Sequence, residues 1–376
     1  MAKKTPEAND LSFNPSPGHT VGVEVELQLL DRETLMFSDT APQLMASLPE
    51  GMKERIKEEF IQSMVEINTT ICNDISEVER DLREAIGVVD EGLRPLGAVA
   101  YAASLHPLEM GTGENLTEGA RYARIMDDLQ IVGRRFITQG LHVHVGVESP
   151  ERAIKINNTI RMYLPMLLAL TTSSPFYRGE RTGMYSYRTK LFEALPLAGM
   201  PGAVEGWDGF RHMVAQLREG GIIETVRDLW WDVRPNVSLG TVEVRICDVP
   251  TRLSDIVAIA AFIQALVSTI ENVNMHPEAR LNLQILRANK WQAARYGLDG
   301  VFINPVSARR STMRQAVEEL LGIVAPEAER HGSTGRLDDI REILRRGTGA
   351  HRQLDLYDET GDFRFMISRT REDFLS

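Results

Sequence analysis

Residues 21–30, VGVEVELQLL, alternate without a break: Val21, Val23, Val25, Leu27 and Leu29 share one parity, and Gly22, Glu24, Glu26 and Gln28 share the other. Successive side chains of a strand point to opposite faces, so this stretch reads as a half-buried β-strand with an acidic outer face. Three further stretches obey the same rule. In 61–71, Ile61, Val65, Ile67 and Ile71 oppose Gln62, Met64, Glu66 and Asn68. In 141–147, Leu141, Val143, Val145 and Val147 oppose His142, His144 and Gly146, and in 241–247, Val242, Val244 and Ile246 oppose Glu243 and Arg245. Strands with one apolar face belong to an antiparallel sheet covered on one side, because parallel sheets are buried on both.

Helical periodicity fills the intervals. Ser76 with Glu79 has the spacing of a capping box ahead of Val78, Leu82, Val89 and Leu93, and Pro95 with Gly97 ends that run. Similar patterns cover 118–136, 150–169, 253–272 and 278–296, with more beyond Ser311. The fold class expected is therefore α+β: a largely antiparallel β-sheet with helices packed on one face and the active site on the other. Residues 1–18, polar and proline-bearing, read as a flexible N-terminal tail, and 19–376 as a single catalytic domain.

The formal net charge of -11 and the pI near 5.4 argue against sequence-independent nucleic-acid binding, which needs a surplus of Lys and Arg on one face. Two cysteines, Cys72 and Cys247, give no disulfide framework and fit a reducing, cytoplasmic setting. The most apolar window, 256–270, is interrupted by Gln264 and falls short of the roughly 20 residues a bilayer needs, so it reads as a buried helix and no membrane contact is expected.

Because i and i+2 share a face, Glu24 with Glu26, His142 with His144, and Glu243 with Arg245 form same-side pairs, and Glu66 stands on the polar side of its own stretch. Any one such pair is usually solvent-facing decoration. Four strands that all turn acids and imidazoles outward, with no lysine among them, point to a shared hollow. Carboxylates brought within about 4 Å repel by about 4 kcal/mol at an effective dielectric near 20, so such a hollow needs added positive charge. An oxygen-rich set with one or two imidazoles suits Mg2+ or Mn2+ better than structural zinc. Magnesium suggests phosphates, and since no Walker or Rossmann glycine pattern is present, a nucleotide would be held by its metals and by arginines such as Arg178, Arg181, Arg188 and Arg234. Of the adjacent Trp230 and Trp231, one belongs in the core and the other, assigned here as Trp231, at the substrate site. His106, ahead of Pro107, is a further candidate for the cavity lining. A zinc hydrolase built on the His142–His144 pair is the rival enzyme, but the other histidines show no second metal-ligand spacing. A non-catalytic nucleotide- or amino-acid-binding protein on the same fold is the rival of another class.

The segments VGVEVELQLL, EFIQSMVEIN, GLHVHVGV, SPFYRGERTGMYSYR, DLWWDVRPN and GTVEVRICDVP resemble those of the bacterial carboxylate-amine ligase family, the glutamate-cysteine ligase 2 type, across nearly the whole chain. Their order also resembles the ExE, GxHxH and ExR series of the wider glutamine synthetase superfamily. The resemblance implies a glutamine synthetase catalytic-domain-like fold and an ATP-dependent ligase that activates a carboxylate as an acyl phosphate before an amine attacks it, with glutamate and cysteine as the pair the family name suggests. It implies two or three Mg2+ or Mn2+ ions: Glu26, Glu66 and Glu59 for one, and Glu24, His142 and Glu243 for a nucleotide-side ion. Arg245 is implied as a phosphate or acyl-phosphate contact, His144 as a neighbour of the nucleotide phosphates, and Arg245 or Arg234, with Glu243, as the catalytic groups. A homodimer is the assembly the resemblance suggests. Glu59 stands where aspartate is common in the family and Gln62 where glutamate is common, which bears on a third ion. The loop 178–188, rich in Gly and Arg, is expected to close over the site as a lid.

Overall fold

The alternating stretch forms strand β1 (Val21–Asp31), the spine of a seven-stranded antiparallel sheet. The computed structural model describes residues 11–108, 115–117, 120–135, 137–273 and 281–375. In chain order the further strands are β2 (Ile56–Glu58), β3 (Met64–Asn68), β4 (Ala98–Tyr101), β5 (Gly140–Gly146), β6 (Phe176–Tyr177), β7 (Glu180–Arg181), β8 (Val233–Asn236) and β9 (Thr241–Asp248), then a separate pair, β10 (Val301–Ile303) and β11 (Arg310–Thr312). The sheet runs β2-β3-β1-β5-β9-β8, with β4 also on β1, while β6 and β7 form a separate hairpin. Val21, Val23, Val25, Leu27 and Leu29 of β1 pack with Leu141, Val143 and Val145 of β5 and with Val242 and Val244 of β9 into the main core.

Helices cover that apolar face. Leu253–Asn272 lies at its centre and packs against the helices Pro150–Ile160, Met313–Arg330 and Thr334–Arg346. Among the described residues it alone is long and apolar enough to cross a membrane, yet 94% of its apolar window is buried inside the protein. Each fully buried Ile, Val or Phe of this layer contributes about 1.5–3 kcal/mol. The expected helix 150–169 is broken: Arg161–Tyr163 separate Pro150–Ile160 from Leu164–Thr171. Pro165, at the start of the second helix, lacks an N–H and its ring would clash with the Arg161 carbonyl in a continuous helix. The pattern at 118–136 likewise divides into Ala120–Leu129 and Ile131–Arg135, with Glu118 and Phe136 outside the described residues.

Three local expectations are corrected. The helix Ile75–Leu93 is capped by Asp74, whose carboxylate accepts from Ser76 N–H (2.8 Å) and Glu77 N–H (3.1 Å), so Ser76 lies inside the helix and not at its cap. The second alternating stretch joins the sheet as a strand over Met64–Asn68, Ile61 makes an isolated bridge to Leu116, and Ile71 is 74% exposed. Asp81 accepts from Thr70 N–H (3.0 Å) and Oγ1 (2.7 Å), turning the chain so that Cys72 reaches the core in place of Ile71. Within the expected tail, residues 11–18 are anchored: Asn14 N–H donates to Val237 O (2.9 Å), Ser16 N–H to Val147 O (3.2 Å), and Phe13 meets Trp207 edge-on. Gly240, at φ +64, is required there, since a Cβ would lie 1.9 Å from Asn14 O.

Candidate active site

The face of the sheet opposite the main helical layer carries the acids and imidazoles in a row set by strand register, while at its β1–β4 end Leu30, Val99 and Tyr101 on this same face pack with Leu356, Met366 and Ile367. Glu26 on β1 stands opposite Glu66 on β3, Glu24 opposite His142 on β5, His144 opposite Glu243 on β9, and Glu243 opposite Arg234 on β8. Between Leu141 and Val143 the pairing slips, so that His142 of β5 stands against two residues of β9, Arg245 and Ile246. A bulge of this kind re-aims side chains and frees carbonyls. Arg188 occupies the gap, its Nη1 donating to Ile246 O (3.2 Å) and its Nη2 to Arg245 O (3.4 Å). It passes so close to Gly140 that a Cβ there would meet Nη2 at 2.5 Å.

Above this row lies a cavity of about 430 Å³, walled by segments around Lys57–Phe60, Leu129, Phe192 and Trp230. Its two halves differ in charge balance. In the first, His142 Nδ1 donates to Glu24 Oε2 (3.0 Å), and His144 Nε2 lies 3.2 Å from Glu24 Oε1 while its Nδ1 contacts Thr241 Oγ1 (3.0 Å). Arg234 Nε donates to Glu243 Oε2 (2.9 Å), Arg245 Nη1 donates to Glu243 Oε1, and Asn236 Nδ2 donates to Glu243 Oε2 (3.3 Å). Burial would raise both carboxyls, but the bonds from His142 and His144 hold Glu24 well below the usual range, and Arg245, Arg234 and His144 do the same for Glu243. Burial and Arg245 keep His142 below its ordinary value, whereas Glu243 and Glu24 outweigh burial and raise His144.

The second half is short of cations. Burial pushes Glu26 up to about 7 even with Arg188, the Gly140 N–H and Arg245 opposing it. Burial, then Glu66 and Glu26, raise Glu59 well above the carboxylate range, and burial with Glu24 raises Glu66. Directly opposed carboxylates such as Glu26 and Glu66 destabilise a sheet unless something stands between them. One ligand atom from each of Glu24, His142 and Glu243 lies within 4.8 Å of the others, and the same holds for Glu26, Glu66 and His142. This donor set, carboxylates with a shared imidazole, fits hard divalent cations. A neutral His142 giving its Nδ1 proton to Glu24 keeps its Nε2 lone pair, the tautomer a metal ligand requires. The guanidinium groups of Arg188 and Arg245 line the same cavity, and their Nε atoms are buried without hydrogen-bond partners.

The structure thus brings together Glu24, Glu26, Glu59, Glu66, His142, Glu243, Arg188, Arg234 and Arg245. His144 lies beneath Glu24 and Glu243 rather than in the cavity lining. Arg234 faces the cavity, but its Nη1 is committed to the carbonyls of Arg227 (2.9 Å) and Leu229 (3.2 Å) and its other donors to Glu243, so it holds Glu243 and the 227–229 turn. Four assigned substrate contacts lie elsewhere. Arg178 and Gly179 both have positive φ, the requirement of a tight hairpin turn between β6 and β7, and the exposed Arg178 guanidinium lies 5.1 Å from the Tyr177 ring. Arg181 pairs with Asp358. His106 is buried between Phe37 and Tyr101, donating from Nε2 to Leu35 O (2.8 Å) and accepting Leu108 N–H at Nδ1 (3.2 Å). Nor is the 178–188 loop a free lid: Gly179 N–H donates to Pro107 O (2.8 Å), Thr182 N–H to Pro175 O (3.0 Å), and Ser186 Oγ to Asp248 Oδ1 (2.8 Å).

The tryptophans are exchanged. Trp231 packs edge-on to Phe210 in a side core at 9% exposure, while Trp230 lines the cavity, edge-on to Phe192. The signal was parity, since Trp230 shares the cavity side with Arg234 and Asn236, and Trp231 the core side with Val233. Trp231→Ala is expected to cost about 3–5 kcal/mol of stability, seen as a lower Tm. Trp230→Ala is expected to shift Tm by no more than about 2 °C while cutting kcat/KM about tenfold. The reverse pattern in thermal melts and turnover would return Trp231 to the site.

Comparison with known proteins matches residues 20–368 to glutamate–cysteine ligase family 2 (GCS2). A relative from Gloeobacter violaceus, named "Putative glutamate--cysteine ligase 2", is 36% identical over 354 residues, covering 93% of this chain and 95% of its own. One of the same name from Sorangium cellulosum is 39% identical over 355 residues, covering 93% and 94%. The crystal structure of a glutamate–cysteine ligase from Francisella tularensis in complex with AMP shares the fold at a TM-score of 0.72 and 13% identity, over 97% of this chain and 90% of that one. With the ordered strand motifs gathered on one cavity, these matches show that the chain belongs to glutamate–cysteine ligase family 2 and is an ATP-dependent ligase.

Proposed function

We propose that the protein joins the side-chain carboxylate of L-glutamate to the amine of a second small molecule, L-cysteine in the first instance, with Mg2+-ATP converted to ADP and phosphate. The observation that carries this reading is the row Glu66–Glu26, Glu24–His142, His144–Glu243–Arg234 beneath one cavity, with Arg188 and Arg245 beside it.

Glu24, His142 and Glu243 would hold one ion, and Glu26 and Glu66, with Glu59 adjacent, another. When bound, such ions neutralise phosphoryl oxygens and withdraw the charge that develops in phosphoryl transfer. The protein's own groups orient the reactants. Arg245, held by Glu243, and Arg188, held by the carbonyls of the β9 bulge, present donors to an anionic oxygen, first of the transferring phosphoryl group and then of the tetrahedral adduct formed when the amine attacks. A substrate carboxylate oxygen attacks the γ-phosphorus, ADP departs, and the amine nitrogen then displaces phosphate from the acyl carbon and loses a proton. Phe60, Phe192 and Trp230 line the same space and exclude water that would hydrolyse the acyl phosphate. His144 and Arg234 act as positioning residues for Glu24 and Glu243. The buried, free thiols Cys72 and Cys247 suit a cytoplasmic setting and take no part.

The test is ADP release with Mg2+-ATP across a panel of amino acids and amines. Turnover that requires both an acid and an amine, with L-glutamate the best acid, is expected. Turnover with another acid would move the substrate assignment, and no amine-dependent turnover across the panel would end it.

A further inference from the structure

Lys290 lies on the helix Leu283–Tyr296, outside the cavity, and is 3% exposed. Its Nζ donates to Asp232 Oδ2 (2.7 Å) and Oδ1 (2.9 Å) and pairs with Glu193 Oε1 (3.1 Å). Those two acids end two different walls of the cavity. Glu193 directly follows the short helix Arg188–Phe192, whose first and last residues both line the cavity. Asp232 lies between Trp230 and Arg234, which line it from the other side.

The backbone around Asp232 is equally committed. Its carbonyl accepts Arg245 N–H (2.8 Å), its N–H donates to Gly199 O (2.9 Å), and Gly199 N–H donates to Trp230 O (3.1 Å). The bond from Arg245 N–H to Asp232 O continues the β8–β9 register one step beyond the Val233–Val244 pair. Arg188, from the other wall, donates to the carbonyls of Arg245 and Ile246. One ammonium therefore joins both segments that deliver guanidinium groups to the site.

We infer that Lys290 is a positioning residue: through Asp232 and Glu193 it fixes the separation of the two walls that carry Arg188 and Arg245. Stability alone does not call for an ionic cluster here, because a buried ion pair exchanged for apolar groups of similar volume is often neutral or stabilising. The cluster supplies direction, which apolar packing lacks, and a displacement of about 1 Å in a reacting constellation costs about 10²-fold in rate. The functional weight of the arginines rests on the reaction proposed above; the mechanical role of Lys290 does not.

The experiment uses the full chain with Lys290→Met, and the double variant Lys290→Met/Asp232→Asn, which leaves no uncompensated buried aspartate if the single variant fails to fold. Hydrogen exchange is followed in peptides containing the amides of Gly199, Asp232 and Arg245 and in peptides from Leu253–Asn272. ADP release is measured with Mg2+-ATP and an acid and amine that the wild type turns over. Protection at the three amides is expected to fall by about tenfold or more with the central helix unchanged. In parallel kcat should fall about 10²-fold while KM for ATP stays within about threefold. Unchanged protection at those amides, equal loss across Leu253–Asn272, or kcat within about threefold of wild type would overturn the assignment. If the wild type turns over no acid and amine at all, the proposed reaction fails, and the exchange arm still decides the role of Lys290.

Discussion

Glu243→Gln is expected to lower kcat/KM for amine-dependent ADP release by about 10³-fold or more, a loss of about 4 kcal/mol of transition-state stabilisation. Glu243 is the point where the structure's separate devices meet. Its two oxygens accept from Arg234, Arg245 and Asn236, and one of them stands 4.0 Å from His144 Nε2. It is also one of the three groups whose ligand atoms converge with Glu24 and His142. The amide keeps the shape and one accepting oxygen, but cannot balance two guanidinium groups or serve as an anionic ligand. Arg245 would then lose the partner that aims it. Glu243→Ala is a poorer test, because removing one member of a buried ion cluster costs about 3–5 kcal/mol and confounds activity with folding. The measurement is steady-state ADP release normalised to the fraction folded, alongside a thermal melt. Turnover near wild type in a folded Glu243→Gln protein would remove Glu243 from the site chemistry.

The residues legible from sequence were those whose placement the backbone itself dictates. Once 21–30 was a strand, Glu24 and Glu26 had to share a face. The same period placed Glu66, His142, His144, Glu243 and Arg245, and the apolar parity placed the helices on the opposite side. Errors fall where a distant contact decides. His106 is held by a carbonyl at Leu35, and Arg181 by Asp358, partners remote in sequence that no local pattern announces. Arg178 serves a turn, which its neighbour Gly179 hinted at. Trp230 was recoverable by carrying the parity of Arg234 back along the chain. The β9 bulge and the Lys290 cluster were not, since both arise from pairing between segments whose register the sequence leaves open.

Glu66→Gln is expected to move stability and activity in opposite directions. Glu66 faces Glu26 across the β1–β3 pair and lies near Glu24 and Glu59, and among these acids Glu26, Glu59 and Glu66 are all raised above the ordinary carboxylate value. A raised carboxyl pKa means that the folded state resists ionisation, so at neutral pH the cluster destabilises the metal-free protein. Replacing one carboxylate by an isosteric amide removes part of that repulsion. Protonation already relieves some of it, so the gain is about 1 kcal/mol rather than the full pair energy, or about 1–2 °C in Tm. The same change removes an anionic member of the Glu26–Glu66–His142 set. Magnesium at 100 times its dissociation constant stabilises a protein by about 2.7 kcal/mol for each site filled; Glu66→Gln should lose a shift of about that size relative to the wild type and keep the part supplied by the Glu24–His142–Glu243 set. Activity should fall about 10³-fold. Such a trade is the mark of a carboxylate kept for its ligand at a cost to the fold. Thermal melts of both proteins, in chelator and in excess magnesium, decide the matter. A metal-free Glu66→Gln protein that melts below wild type, together with equal magnesium shifts in the two, would show that Glu66 is a structural group and no ligand of an ion.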